Sequence, residues 1–494
     1  MILSNFIDKI VEYFHPKSGL QRQYDRKLLN KYNASLPSNP HTKRPNKKSS
    51  GSANSVNRGA KAVRERVRHM DENNPLVTGI LDELCSNVIG PNGIMIEPQP
   101  LDMKGEVHTE FAQAISKWLE LFSLNQNIDA EHSRSETEWL ACRTWLRDGE
   151  VFGRLYMGKH KDLLYPTNTP FAIQPFEPDF IPHRINEPEN GVLEGIKRNK
   201  LGQAISYLIQ QDAHGFEFVE IDAFFMVHLK FSRRFHQNRG ISLLHSIVDL
   251  IDDIDDYDQS ERVSAQIASR FTYFIKREVG GDESLERDGD MFLGMGNSFE
   301  LSPGEDAGMV ESNRKEAMSS PFRDAQLRLA SSGAGVNNSS VTRDYSNGSY
   351  SSQRQELVDS YSRYRVLQRK FILNWTRPQY RHALNMAILS GEVNVPKGVD
   401  KTSIFNAIYQ APVMPWIDPT REMAGIEKGT RLSLFSLSQA QRERNISPLA
   451  TRLEVQSERK QLNEMNIVST SDPAHSLISS NSNKEVNNAK GKQR

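Results

Sequence analysis

Two short stretches carry residue types that could do chemistry. "GRLYMGKH", Gly153 to His160, supplies two glycines and a lysine in phosphate-loop order, but His160 stands where a magnesium-binding Ser or Thr belongs. Backbone N–H groups converge on phosphate only through small residues, and Arg154, Leu155, Tyr156 and Met157 favour a strand. The stretch therefore reads as a strand ending in a turn. "DDIDD", Asp252 to Asp256, fits the paired aspartates with which prenyl-diphosphate enzymes hold magnesium. One helix face cannot complete that metal's octahedron around a diphosphate, and the sequence offers no second acidic cluster to face it. A solvated or lumen-facing acidic stripe is the expectation. There is no His-Glu-x-x-His helix, Gly-x-Ser-x-Gly elbow, Cys-x-x-Cys pair or intact dinucleotide glycine pattern. No catalytic residue, metal site or cofactor is expected.

The elements that would position such residues alternate in kind. Leu76, Ile80, Leu84 and Val88 recur at four-residue spacing and predict a helix, preceded by Arg64, Arg66 and Arg68; "GPNG" then closes it into an extended segment at Ile94 to Ile96. Further helices are expected around Phe111 to Phe122 and Trp139 to Arg147. From Gly149 to Gly240 the period shortens to that of strands and hairpins punctuated by Pro and Gly. Helix returns after Gly240, where Leu244, Ile247, Ile251 and Ile254 form one stripe and Asp249, Asp252, Asp253 and Asp256 another. A Gly-rich acidic stretch from Val279 predicts a small β excursion, followed by a helix near Asn313 to Ala330. Next comes "SSVTRDYSNGSY", which has almost nothing to bury and predicts a mobile polar loop delivered into a helix from Ser351. Leu357, Tyr361, Tyr364, Leu367, Phe371 and Trp375 sustain that helix to Pro378, and another is expected over Tyr380 to Leu389.

The 494 residues carry 62 basic and 62 acidic side chains, so net charge names neither nucleic acid nor membrane as partner. Two cysteines, Cys85 and Cys142, lie in apolar-periodic context and suit small buried residues in a reducing compartment. The N-terminal stretch places Leu3, Phe6, Ile7, Ile10, Val11 and Phe14 on one helical face with Asp8 and Glu12 in the pattern, unlike a signal peptide. No apolar run is long enough to span a bilayer. Residues 15–60 read as a polar, basic arm and the last residues as a disordered tail.

In order, "RERVRHMDENNPLVTGILDELCSNVIGPNGI", "GEVFGRLY", "FEPDFI", "NRGISLLHSIVDLIDD", "SYSSQRQE" and "PWIDPTREMAGIEKGTRLS" resemble the lambda-like portal proteins of tailed bacteriophages. The likeness spans roughly Lys61 to Ile446; "RERNIS" replaces an expected glycine-containing turn, and the arm before Lys61 has no clear counterpart. It implies an α+β, portal-type protomer with helical stem, β-containing wing and clip, and helical C-terminal crown. The implied segments are an N-terminal helix and basic arm (1–60), wing (61–239), first stem helix (240–277), clip (278–312), second stem helix (313–333) and tunnel loop (334–350). Long wing helices (351–395), a crown region (396–466) and the tail (467–494) complete them.

The resemblance further implies a non-enzymatic subunit of a ring, commonly of twelve copies, at one capsid vertex. Double-stranded DNA would pass through it during packaging and ejection, with the terminase large subunit, capsid or scaffold protein and head-completion proteins as partners. Assembly would take place in the host cytoplasm. Channel residues would be Asn337, Asn338, Ser339, Arg343, Asp344, Tyr345 and Asn347 in the loop, with Asp249, Asp252, Asp253 and Asp256 as stem candidates. A nucleotide-dependent DNA motor, resting on "GRLYMGKH" alone, is the rival reading, and prenyl transfer through Asp252 and Asp253 a more distant one.

Overall fold

The computed structural model describes residues 54–165, 167–210, 217–269, 273–277, 305–309, 319–345, 349–414, 418–444, 446–465 and 467. The N-terminal helical stripe, most of the basic arm, most of the clip and nearly all of the tail lie outside them.

Two helices open the described chain, α1 (Asn54–Asn73) and α2 (Pro75–Val88), followed by β1 (Met95–Pro98), α3 (Thr109–Ser123) and α4 (Arg134–Asp148). Then come β2 (Glu150–Met157), β3 (Phe171–Phe176), β4 (Val192–Leu193), β5 (Ile196–Arg198), β6 (Ala204–Gln210), β7 (Phe218–Asp222) and β8 (Met226–Lys230). Helix α5 (Val248–Ser269), β9 (Tyr273–Arg277), β10 (Glu305–Met309), α6 (Ser319–Ala334) and the short α7 (Asn338–Thr342) precede α8 (Tyr350–Phe371). A π turn (Ile372–Thr376) joins α8 to α9 (Arg377–Leu389), and β11 (Ala407–Gln410), α10 (Pro419–Arg431), α11 (Leu437–Arg442) and α12 (Pro448–Glu464) follow. The protein is α+β.

The chain divides into two compact units: Met1–Leu84, Ala141–Arg154 and Pro175–Arg363 form one, and Cys85–Leu140, Leu155–Gln174 and Tyr364–Arg494 the other. In the first, β4, β5, β6 and β7 form an antiparallel meander, and β2 pairs antiparallel with β8 from Glu150↔Lys230 to Arg154↔Met226. Phe152, Ile181, Ile196, Tyr207, Ile209, Ile221 and Met226 bury their side chains together there. A tight backbone crossing fixes the start of β2. Gly149 has φ +92°, and a Cβ on it would lie 2.2 Å from the Ile241 carbonyl carbon. A Cβ on Gly240 would lie 2.0 Å from the Gly149 oxygen, so neither position admits a side chain.

In the second unit β1 pairs antiparallel with β11. Ile115, Trp118 and Phe122 form the buried face of α3, and Trp118 stacks on Phe122 at 5.1 Å. Tyr364, Leu367, Phe371 and Trp375, then Tyr380, Leu384 and Ala387, form the buried stripe of the long helix. Pro378 brings no N–H to the start of α9, and the chain accommodates it through the π turn, in which the Arg377 N–H donates to the Ile372 carbonyl. Cys85 and Cys142 are both buried.

Three expectations need correction. The basic arm expected to run to residue 60 gives way to helix α1 at Asn54, and Arg64, Arg66 and Arg68, which precede α2 as expected, lie within it; Ala60, Val63, Val67 and Met70 supply its buried stripe amid the charge. The expected single helix from Gly240 to Lys276 is instead a 3-10 turn (Leu243–Ser246), α5, and a strand whose residues are aromatic and β-branched, Tyr273, Phe274 and Ile275. The third concerns the loop after α6.

Candidate functional site

The chemistry expected of this sequence is passive contact with a polyanion, so the side chains that matter are those on α5, α6 and the turn after them. On α5, Val248, Ile251 and Ile254 are buried, and Ile254 packs with Leu327 and Ala330 of α6, with Leu76 and Leu250 against them. Further along the pair, Tyr257 meets Phe322 at 5.3 Å and Arg323 donates to both Asp258 oxygens at 2.8 and 3.0 Å. Between the helices, β9 and β10 pair antiparallel from Arg277↔Glu305 to Tyr273↔Met309; most of the Gly-rich stretch from Val279, where a β excursion is expected, lies outside the described residues.

The acidic stripe of α5 is divided by its partners. Arg66 of α1 donates through Nη1 to Asp249 Oδ1 at 2.9 Å and through Nη2 to Asp252 Oδ2. Asp255, which was not among the expected residues, accepts from Asn74 Nδ2 at 2.6 Å. Asp253 and Asp256 are exposed. Partial burial, then the charges of Asp249, Asp256 and Asp252, push the Asp253 carboxyl up from its ordinary value.

The turn after α6 is ordered by buried polar contacts. Asn337 is buried and its Oδ1 accepts from the Ser360 hydroxyl of α8. Glu356 of α8 accepts from the Asn338 N–H at 2.8 Å and from the Ser339 hydroxyl at 2.7 Å, occupying donors at the start of α7. Gly335, at φ +75°, leaves the space into which the Arg363 guanidinium fits. The expectation of a mobile polar loop therefore fails for Asn337, Asn338 and Ser339: Ser and Asn serve here as hydrogen-bonding anchors. Arg343, in left-handed conformation at φ +57°, Asp344 and Tyr345 are exposed. Asn347 lies outside the described residues.

"GRLYMGKH" is a strand running to Met157 and ending at Gly158, with φ +103°, as its residue types indicate. Leu155 is buried, and Lys159 and His160 are exposed. Among the described residues no group of His, Cys, Asp or Glu comes together in a way that could hold a metal ion, and no helix is long and apolar enough to cross a membrane.

Sequence spacing missed the most deeply buried charges. Arg239, fully buried, donates to Glu150 Oε1 through Nε at 2.8 Å and to the carbonyls of Ile181 and Glu194 at 2.9 Å and Pro178 at 3.2 Å. Glu150 Oε2 accepts from the Gly240 N–H at 2.8 Å and lies 3.1 Å from His228 Nε2. Phe152 stacks on the His228 ring at 4.2 Å, with the Arg239 guanidinium 5.3 Å from its centroid. Burial opposes the Glu150 charge, but Arg239 and His228 hold its carboxyl well below the usual range. Burial drives His228 down to about 4 against the pull of Glu150, and with Arg239 it holds His183 well below its usual value. A second cluster joins Arg64 to Asp179 at 2.9 Å and Arg68 to Asp148 at 2.6 Å and Glu177 at 3.2 Å. Elsewhere Arg143 reaches Asp82 across 61 positions and Arg66 reaches Asp249 across 183, separations at which no motif operates.

The sequence model of the phage portal protein, lambda family, matches residues 38–368. The chain belongs to that family. Membership gives it a portal, or head-tail connector, role in a virion. Among solved structures the portal chain is similar to one from the neck of a native GTA particle computed with C12 symmetry, at 12% identity over 76% of this chain and 92% of that one, TM-score 0.44. It is also similar to one from the virion of a native gene transfer agent (GTA) particle, at 12% identity over 78% and 94%, TM-score 0.41.

Proposed function

We propose that this portal chain works as one subunit of a ring at a single capsid vertex, with twelve copies as the expected number, and that double-stranded DNA passes through the ring during packaging and ejection. Family membership over residues 38–368 carries the reading. In this assignment α5 and α6 are the stem, β9 and β10 begin and end the clip, and Arg343, Asp344 and Tyr345 face the channel from a turn anchored through Asn337, Asn338 and Ser339. Asp253 and Asp256 would present negative charge to the passing phosphates, and Asp249 and Asp252 contribute less because Arg66 cancels one of their two charges. The clip would dock the terminase large subunit and later the head-completion proteins, and capsid or scaffold protein would surround the ring. Assembly in the host cytoplasm fits this reading.

The subunit is a conduit, with ATP hydrolysis left to the docked terminase. Imaging the purified protein by negative-stain microscopy, with its mass in solution measured on the same sample, tests the proposal. Rings with a central hole are expected. A compact monomer that hydrolyses ATP and loses that turnover in Lys159→Ala would overturn it in favour of a DNA motor.

A further inference from the structure

Within the second unit a small cavity of about 10 Å³ lies beside the π turn, where the polar side chains of Gln126, Glu138, Thr376, Gln379 and Tyr380 meet apolar ones such as Leu119 and Phe122. Its volume is that of one water-sized sphere. Glu138 is already engaged: it accepts from the Ile94 N–H at 2.8 Å, the Thr376 hydroxyl at 2.8 Å and Arg134 at 3.1 Å. Gln126 donates to Gln379 Oε1 at 3.2 Å. Two polar groups of its lining residues are unmatched. Among the described residues, Gln379 Nε2 and the Tyr380 hydroxyl find no hydrogen-bond partner, although these residues are only 5% and 3% exposed.

We propose that this cavity is a binding site for a single structural water, held by Gln379 Nε2 as donor and by the Tyr380 hydroxyl. Charge selects the same occupant as size does. Arg134 and Glu138 balance one another, so an ion of either sign would bring an unpaired charge into a buried site. A neutral molecule that both donates and accepts completes the hydrogen bonding of both side chains, and only water is small enough. The site adjoins the turn that interrupts the long helix, where Thr376 turns from the helix toward Glu138, so the water would stiffen the packing of the π turn against α4.

The sign of one substitution tests the assignment. In Tyr380→Phe the water loses a partner and Gln379 is left half satisfied, so the thermal midpoint of the full-length protein should fall by about 1–2 °C. If the cavity is dry, the same substitution removes a buried hydroxyl without a partner, and the midpoint should rise. A density map sharp enough to show ordered water elsewhere in the core gives an independent reading. A peak within hydrogen-bond distance of Gln379 Nε2 and Tyr380 Oη is expected. A featureless cavity, or a raised midpoint in Tyr380→Phe, overturns the proposal.

Discussion

Replacing Arg239 by Met should be among the most damaging single changes this fold can suffer. The guanidinium reaches Glu150 through Nε at 2.8 Å and Nη2 at 2.7 Å, both side chains being fully buried. It also serves the carbonyls of Pro178, Ile181 and Glu194. Methionine fills much of the volume but leaves a carboxylate without its cation and takes a charged donor from three buried carbonyls, of which that of Pro178 keeps the Ile181 N–H. Breaking a buried pair costs about 3–5 kcal/mol, and the carbonyls place this case near the upper end, about 5 kcal/mol. Urea unfolding followed by tryptophan fluorescence measures it, with the fully buried Trp145 reporting on the same unit. The double variant Glu150→Gln/Arg239→Met removes the stranded charge and should recover about 2 kcal/mol or more of that loss. A cost below about 1 kcal/mol for Arg239→Met, or no coupling in the cycle, would refute the view that this pair holds the β-rich part of the unit together.

Two further outcomes are expected. His228, lowered to about 4 in the folded chain, stays neutral while its unfolded counterpart takes up a proton, so its stability contribution is complete above about pH 6.5 and is lost as pH falls towards 4. Glu150, held below its ordinary value, extends the loss into more acid solution. The urea midpoint should therefore drop from pH 7 to pH 5, and a flat profile over that range would contradict burial of neutral His228. In Glu356→Ala the Asn338 N–H and Ser339 hydroxyl lose their acceptor, so local opening should become about five- to tenfold more populated. Tryptic cleavage after Arg343 should accelerate by that factor, and an unchanged rate would show that Glu356 does not anchor the turn.

Much of the helical framework was legible because each apolar stripe repeats within a few residues: α2 follows from the four-residue spacing of Leu76, Ile80, Leu84 and Val88, and α3 from the apolar positions between Phe111 and Phe122. The strand character of Arg154 to Met157 followed from bulky side chains at positions where a phosphate loop needs small ones. What escaped depends on partners far away in the chain. Arg66 reads as a solvated charge until α5 brings Asp249 and Asp252 to it. Asn337 and Ser339 read as loop residues because their short polar side chains carry no periodicity; only contact with Ser360 and Glu356, on the next helix, makes them structural. Glu150 and Arg239 are 89 positions apart, and no local pattern distinguishes a buried carboxylate from an exposed one.

The π turn between α8 and α9 bears on how this gene can change length. A π turn contains one residue more than the α-helical turn it replaces, and the buried series steps by four from Phe371 to Trp375 but by five from Trp375 to Tyr380. Deleting a single codon within 372–376 would keep the same face of both halves inward, with Pro378 then kinking the helix at the join. The same deletion in the middle of α8 would turn everything beyond it by about 100° and expose Phe371 and Trp375. Along this helix, a one-residue deletion should therefore cost least in that turn.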